Sequence, residues 1–300
     1  MAKLAGSILI AVLAAVSVAG QSAPATPKPP NTSPKAVAGL ASRYLEEYTA
    51  KLALAVAEET YIQETFASAN VRTGSRLIKG ELYLTFLAKD RIWMAVHDVI
   101  EVDGQPVADR RSLVDTVLRA NQTPVAADVA RHNSRYNLGR ITRTFNEPTL
   151  ALLVVDRAHV DNFEFSRELV EVHGNATLVT LSFVEKRRPT IVSSTSGAPI
   201  YSRGELVVDA ATGHVRSTRL TLKDGHITAE LATTYMLEPK LKLWVPAVFT
   251  ERYEGEPDGL KEIDTGRAMY TNYRQHESFG RIRGGQVGSR LRQQLPNRAR

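Results

Sequence analysis

Seven histidines, at positions 97, 132, 159, 173, 214, 226 and 276, are the side chains of this sequence best suited to carry protons or hold a metal. None of them forms His-x-His, His-x-x-x-His or His-Glu-x-x-His, the spacings that bring two imidazoles to one ion. Two have an acid close by, in His97-Asp98 and Asp224-Gly225-His226. The second pair sits in a hairpin turn, where Asp-Gly already has a structural reason to occur. The first lies in a strand, where successive side chains point to opposite faces and do not act together. Ser193, Ser194 and Ser196 precede Gly197 in a Ser/Thr-rich stretch that reads as a solvated loop, and no Gly-x-Ser-x-Gly elbow exposes a nucleophile. Neither Gly-x-Gly-x-x-Gly nor Gly-x-x-x-x-Gly-Lys-Ser/Thr is present to cradle a phosphate. With no cysteine, disulfides, thiolate metal sites and a cysteine nucleophile are excluded. The expectation is a protein that is not an enzyme, with no catalytic residue, no metal and no cofactor.

What the chain does offer is an apolar wall: Leu82, Leu84, Phe86, Trp93, Leu150, Leu153, Phe165, Leu181, Leu231 and Trp244. On a sheet that curls around helices, these side chains would line a ligand-binding pocket for an acyl chain or another apolar molecule. Packed solidly, they would simply be the sheet–helix core. Pockets are themselves mostly apolar, so composition does not separate the two.

The formal net charge of +6 belongs to the two ends of the chain. Lys3, Lys28 and Lys35 are the only charges before residue 36, and Arg281, Arg283, Arg290, Arg292, Arg298 and Arg300 follow Gly280 with no acid among them. The body between holds 29 basic and 32 acidic residues. A nucleic-acid-binding domain would carry its positive excess on the folded face, so no nucleic-acid partner is expected.

The elements that would position these residues alternate in blocks. Lys3, the apolar run Ile8–Val18 and the small residues Ser17, Ala19 and Gly20 have the order of a secretory signal peptide over 1–20. Residues 21–35 hold five prolines and read as an exposed linker. Ser33-Pro34 then opens an amphipathic helix, with Val37, Leu40, Ala41, Tyr44, Leu45, Tyr48, Leu52 and Val56 on one stripe. The period changes to two at Ile78, Gly80, Leu82, Leu84 and Phe86, with neighbouring strands around 60–71 and 91–102 and a turn at Asp103-Gly104. A helical insert is expected over 108–156. It comprises a short helix at Leu113–Leu118, a second from Thr123-Pro124 to about Tyr136, and a third from Asn146-Glu147-Pro148 through Leu153. From Asn162 on, strands separated by turns such as Gly174-Asn175 form a meander. The fold class is therefore α+β: a curved antiparallel β-sheet of about ten strands, a half-barrel, with an N-terminal helix and a helical insert packed on one face. It would form a single domain over 36–279, followed by a basic, disordered tail at 280–300.

The segments YIQETF, LIKGELYL, the tryptophan strand ending in EVDGQPV and the later VVDAATGHVRSTRL carry a resemblance. Together with the order of elements over 37–275, they resemble the LolA/LolB-like lipoprotein-carrier fold of periplasmic lipid-binding proteins. The chain is also similar to uncharacterised exported bacterial proteins. The resemblance implies a half-barrel whose concave face meets helices, with lipid acyl chains held between.

The leading expectation is thus an exported cell-envelope protein, periplasmic or secreted and without a lipid-anchoring cysteine, that binds a hydrophobic or lipid-like ligand without catalysis. The alternative is an envelope protein–protein interaction module with a filled core. A hydrolase with dispersed residues is a third reading, which a polar cleft gathering His and carboxylates would favour. The C-terminal arginines are expected to meet an anionic membrane surface.

Overall fold

The computed structural model describes residues 29–53, 55–87, 91–108, 124–143, 146–194 and 196–275. The expected signal peptide, most of the linker, the short helix at Leu113–Leu118 and the tail at 280–300 lie outside the described residues.

Helix α1 (Pro34–Leu52) starts where Ser33-Pro34 places it, with Ser33 extended and Pro34 in the first turn. Ser33 makes no side-chain cap, and its N–H donates instead to Asn31 Oδ1 at 2.9 Å. Val37, Ala38, Ala41, Leu45, Tyr48 and Leu52 form the buried stripe. The stripe was expected to continue to Val56. The helix stops at Leu52 instead, because from Ala55 the backbone is committed to pairing with strands on both sides.

Among the described residues, eleven strands form one open antiparallel sheet. The first block is β1 (Ala55–Ser68), β2 (Val71–Leu87), β3 (Ile92–Val102) and β4 (Gln105–Pro106). The second is β5 (Phe163–His173), β6 (Ala176–Glu185), β9 (Arg203–Asp209), β10 (Val215–Asp224), β11 (Ile227–Glu238), β12 (Leu243–Gly255) and β13 (Glu262–Gln275). A separate two-stranded ribbon pairs β7 (Val192–Ser193) with β8 (Pro199–Ile200). The count exceeds the expected ten because the turn at Asp103-Gly104, both residues at positive φ, folds back the two-residue β4. The order is β4-β3-β2-β1-β13-β12-β11-β10-β9-β6-β5. The first and last of the described strands thus meet inside the sheet, and each block grows outward from them as a meander.

This order places the insert. The chain leaves the sheet at the β4 edge and re-enters at the β5 edge, so the connection must cross a face. Its described residues lie on the face where the inward side chains of the strands converge, the same face that receives α1. Helix α2 (Pro124–Ser134) begins at the expected proline and packs beside β3. The expected helix from Asn146 through Leu153 is instead a 3-10 turn over Leu150–Val155. Its bonds run three residues back, Leu152 N–H to Thr149 O at 3.0 Å and Asp156 N–H to Leu153 O at 3.1 Å. With six apolar residues in a row (LALLVV), it is buried nearly all round, and such a run has no polar side from which a longer amphipathic helix could face water.

Leu52 is fully buried in the main core cluster. Replacing it with alanine removes a filled side chain and leaves a cavity, which typically costs about 2–5 kcal/mol. Urea unfolding of Leu52→Ala should therefore show a clear fall in midpoint at unchanged m-value. An unchanged midpoint would mean that α1 is not docked on the sheet.

Candidate functional site

The concave face divides into an apolar half and a polar half. Leu82, Leu84, Trp93, Leu153, Leu181 and Leu231 of the expected wall are buried, and Phe86, Leu150, Phe165 and Trp244 are partly buried against them. All ten are drawn into one packed cluster. Tyr48 and Phe86 meet Trp93 edge to face, at ring-centroid distances of 6.2 and 5.1 Å. Trp244 is partly buried, with the Arg216 guanidinium stacked 3.5 Å from its ring centre and held from behind by Asp209 at 3.0 Å. A slot of about 10 Å³ lies between α1 and the sheet, lined by Tyr44, Leu45, Tyr48, Leu152, Val215, Tyr235 and Trp244. That is barely room for one water molecule, well short of an acyl chain.

The polar half lies under the described residues of 136–149, a strap that follows α2. On β1 the inward positions after Ala57 are Glu59, Tyr61, Gln63 and Thr65, all buried. Glu251 and Tyr253 of β12 and Glu262 and Asp264 of β13 are buried beside them. Some of these side chains reach past a neighbouring strand. Glu59 of β1 meets His97 of β3 across β2, where Glu59 pairs with Gly80. A Cβ on Gly266 of β13 would stand 2.6 Å from Tyr61 Oη and 2.7 Å from Glu251 Oε1, whose hydrogen bond passes over it.

Into this acidic bed the strap inserts Arg143, whose side chain is fully buried. Nη1 donates to Glu251 Oε1 at 3.0 Å, and Nη2 donates to Gln63 Oε1 at 2.9 Å and to Leu138 O at 2.7 Å. Around it the strap is tied at several points. Leu138 N–H donates to Gln63 Oε1 at 2.7 Å, and the Arg140 and Ile141 amides donate to Glu262 Oε1 at 2.5 and 3.1 Å. Thr233 Oγ1 and Tyr235 Oη both donate to Pro148 O, at 2.7 and 3.1 Å.

His97 is held by two acceptors, Glu59 Oε2 at 2.7 Å from Nδ1 and Asn146 O at 2.8 Å from Nε2. Both ring nitrogens must therefore donate, which makes the ring an imidazolium. Burial opposes that charge, but Glu59 and the Asn146 carbonyl outweigh it and raise the pKa to about 9. A ring fixed in this state has no free nitrogen to accept a proton. Beside it, burial pushes Glu147 up to about 7 against the Thr149 hydroxyl and His97. Burial also raises Glu251, although Arg143 and Tyr61 pull it down. Asp264 has the least help. Both its oxygens are buried without a hydrogen-bond partner, and the nearest cation, Arg143 Nε, stands 3.9 Å away. Burial pushes it up to about 7 against Arg143. Gly139, at φ 96°, presses on this carboxyl, and a Cβ there would lie 2.5 Å from either oxygen.

Of the acid–base neighbours in the sequence, His97 and Asp98 do point to opposite faces, and His97 takes its partner from β1. His226 is exposed in the β10–β11 turn, and Ser194 and Ser196 bond each other at 2.8 Å in the exposed β7–β8 loop. Among the described residues no cluster of three or more His, Asp or Glu has the geometry to hold a metal ion. Sequence reasoning missed the polar bed altogether. Its one trace was the run Glu59, Tyr61, Gln63, Thr65, where the inward positions of a central strand turn polar.

Removing one partner of a buried ion pair strands the other, at a typical cost of about 3–5 kcal/mol. Arg143→Ala should lower stability by that order. Gly266→Ala, which overpacks the Tyr61–Glu251 contact, should cost about 1–3 kcal/mol. Denaturant titration measures both, and wild-type midpoints for both variants would show that the network does not hold the fold.

Neither a protein-family model nor a curated protein sequence matches the chain. Among solved structures it is similar to a putative outer membrane lipoprotein-sorting protein domain from Vibrio parahaemolyticus. That alignment has 12% identity and a TM-score of 0.34, covering 81% of this chain and 94% of that one. It is also similar to a DUF1329 family protein from Desulfovibrio piger, at 14% identity and TM-score 0.38, covering 82% and 95%. The MucA/MucB complex of Pseudomonas aeruginosa aligns at 10% identity and TM-score 0.19, covering 79% and 99%.

Proposed function

We propose that the protein is a non-catalytic cell-envelope protein that takes an apolar chain, of the kind found in lipids, between α1 and the concave face. The observation that supports this reading is how α1 is held. It meets the sheet through apolar and aromatic contacts: Val37, Ala41, Leu45 and Leu52 in the core, Tyr48 on Trp93, and Tyr44 on His214. The Tyr48 hydroxyl is buried with no hydrogen-bond partner. An acyl chain would replace such contacts with contacts of the same kind, so the exchange breaks few directional bonds. With only about 10 Å³ open, α1 has to yield for a ligand to enter. The slot lined by Tyr44, Tyr48, Leu152, Tyr235 and Trp244 marks where it would begin. The apolar-wall residues then serve as core in one state and as ligand lining in the other.

The filled interior itself favours the second reading, a protein–protein interaction module. The edge strand β5 would offer its surface, since Leu169, Val170 and Val172 are exposed on it. The arginines from Arg281 to Arg300 belong to either reading as a contact for anionic lipid head groups. Each is worth at most about 1 kcal/mol near such a surface, and salt screens the attraction.

Native mass spectrometry of protein isolated from its own envelope should show a bound lipid. A fluorescent fatty acid should bind the delipidated protein and lower the hydrogen-exchange protection of α1. No lipid and no probe uptake at saturation would leave the interaction module as the function. In vesicle co-sedimentation at low salt, full-length protein should bind anionic vesicles better than a chain ending at Phe279, and high salt should erase the difference. Equal binding by the two would remove the tail from the reading.

A further inference from the structure

The two halves of the concave face are covered by different forces, and the polar half carries an inference of its own that does not depend on the apolar-ligand reading. Five carboxylates lie in or beside the bed: Glu59, Glu251, Glu262 and Asp264 from the sheet and Glu147 from the strap. The cations facing them are His97 from β3 and Arg140 and Arg143 from the strap. Arg140 is spent on Glu262, with Nε donating at 2.9 Å. Arg143 is spent on Glu251 and Gln63, and His97 on Glu59. That leaves Asp264 and Glu147 without a cation of their own. Asp264 is the starker case. Its carboxyl is fully buried and has no donor, yet it faces Glu251 and Tyr253 from β12, Glu262 on its own strand, Thr65 from β1, and Gly139, Arg140 and Arg143 from the strap. Glu147 faces His97, the Thr149 hydroxyl, Tyr235 and Tyr270. A negative charge on Asp264 in this setting is relieved by water, and water reaches it only if the strap lifts.

We propose that the described residues of 136–149 form a proton-sensitive latch, docked on the polar half of the concave face while Asp264 and Glu147 are protonated and loosened when they ionise. The direction follows from which state holds the protons more tightly. Burial raises Asp264 from 3.8, and Glu147 from 4.5, to about 7 in the docked state. Their contribution to docking is therefore complete below pH about 4 and is lost as pH rises through about 7. His97 acts in the same sense at higher pH: raised from 6.5 to about 9, it supports docking until its proton leaves near pH 9. Glu262 acts in the opposite sense. Although burial opposes its charge, the Arg140 and Ile141 amides and the Arg140 side chain hold it below 4.5, so its contribution fails only in acid. Between pH 5 and 9 the balance runs one way, toward release with rising pH.

The amides of Leu138, Arg140 and Ile141 report docking directly, because each donates to a side chain of the sheet. Hydrogen exchange of the full chain at pH 5, 7 and 9, corrected for intrinsic exchange, should show their protection falling at least tenfold. The ladder amides of Leu220 and Leu231 should change less than twofold. In Asp264→Asn, which keeps the shape and removes the charge, most of the fall between pH 5 and 7 should vanish. If that variant does not fold, Glu147→Gln is the second test and should flatten the same interval in part. Wild-type strap protection that does not change with pH would overturn the latch. So would a wild-type pH profile in whichever of the two variants folds, since a merely structural role for these side chains would lower protection equally at every pH.

Discussion

The connection from β4 to β5 has to span the sheet. With β1 and β13 paired inside the sheet, the two blocks grow outward in opposite directions, and the chain that leaves one edge re-enters at the other. Ten inter-strand spacings of about 4.8 Å separate the two edges by roughly 50 Å measured along the sheet. A connection of this length over the concave face determines what the inward residues of each strand must be. Where α1 and the 3-10 turn lie, the sheet offers leucine, valine and aromatic rings. Where the strap lies, with few apolar side chains of its own, the sheet offers carboxylates, an amide and hydroxyls.

The two coverings obey different physics. Apolar packing has no direction, and each square ångström removed from water contributes about 25 cal/mol whatever its partner. Helix α1 is held in this way, and its sheet partners are interchangeable in kind. The strap is held by bonds that need particular atoms at particular places, which is why Gly139 and Gly266 stand where a side chain would intrude. Burying charges for this purpose is stabilising only when every one of them finds a partner. Here Arg143, His97 and Glu262 are met by hydrogen bonds, while Asp264 has only Arg143 at 3.9 Å and no hydrogen bond. An interior with this imbalance holds its strap on condition of protonation, whereas its helix depends only on the exclusion of water.

Much of the fold was legible in the residues. Alternation in β2, the Asp103-Gly104 and Gly174-Asn175 turns, the Ser33-Pro34 helix start and the break between meander strands each depend on local stereochemistry. That stereochemistry reads the same before and after folding. Val56 and the LALLVV run were misread for the opposite reason. Their local pattern fits a helix, and only pairing on both sides of β1, and burial of the turn nearly all round, override it.

By itself the sequence determined the class of fold, the strand-and-turn order, the helical start and the apolar wall, because these follow from periods of two and 3.6 and from backbone sterics. Only the tertiary structure decided that the wall closes to leave about 10 Å³ and that β1 and β13 are neighbours. It alone brought together Glu59 with His97, Gln63 with Arg143 and Tyr61 with Glu251, pairs separated in sequence by 38, 80 and 190 residues. No local pattern encodes such pairs. Each partner is unremarkable where it stands in the chain, and the energy that selects it, a charge or dipole satisfied away from water, exists only once the sheet and its covering strap have excluded the solvent.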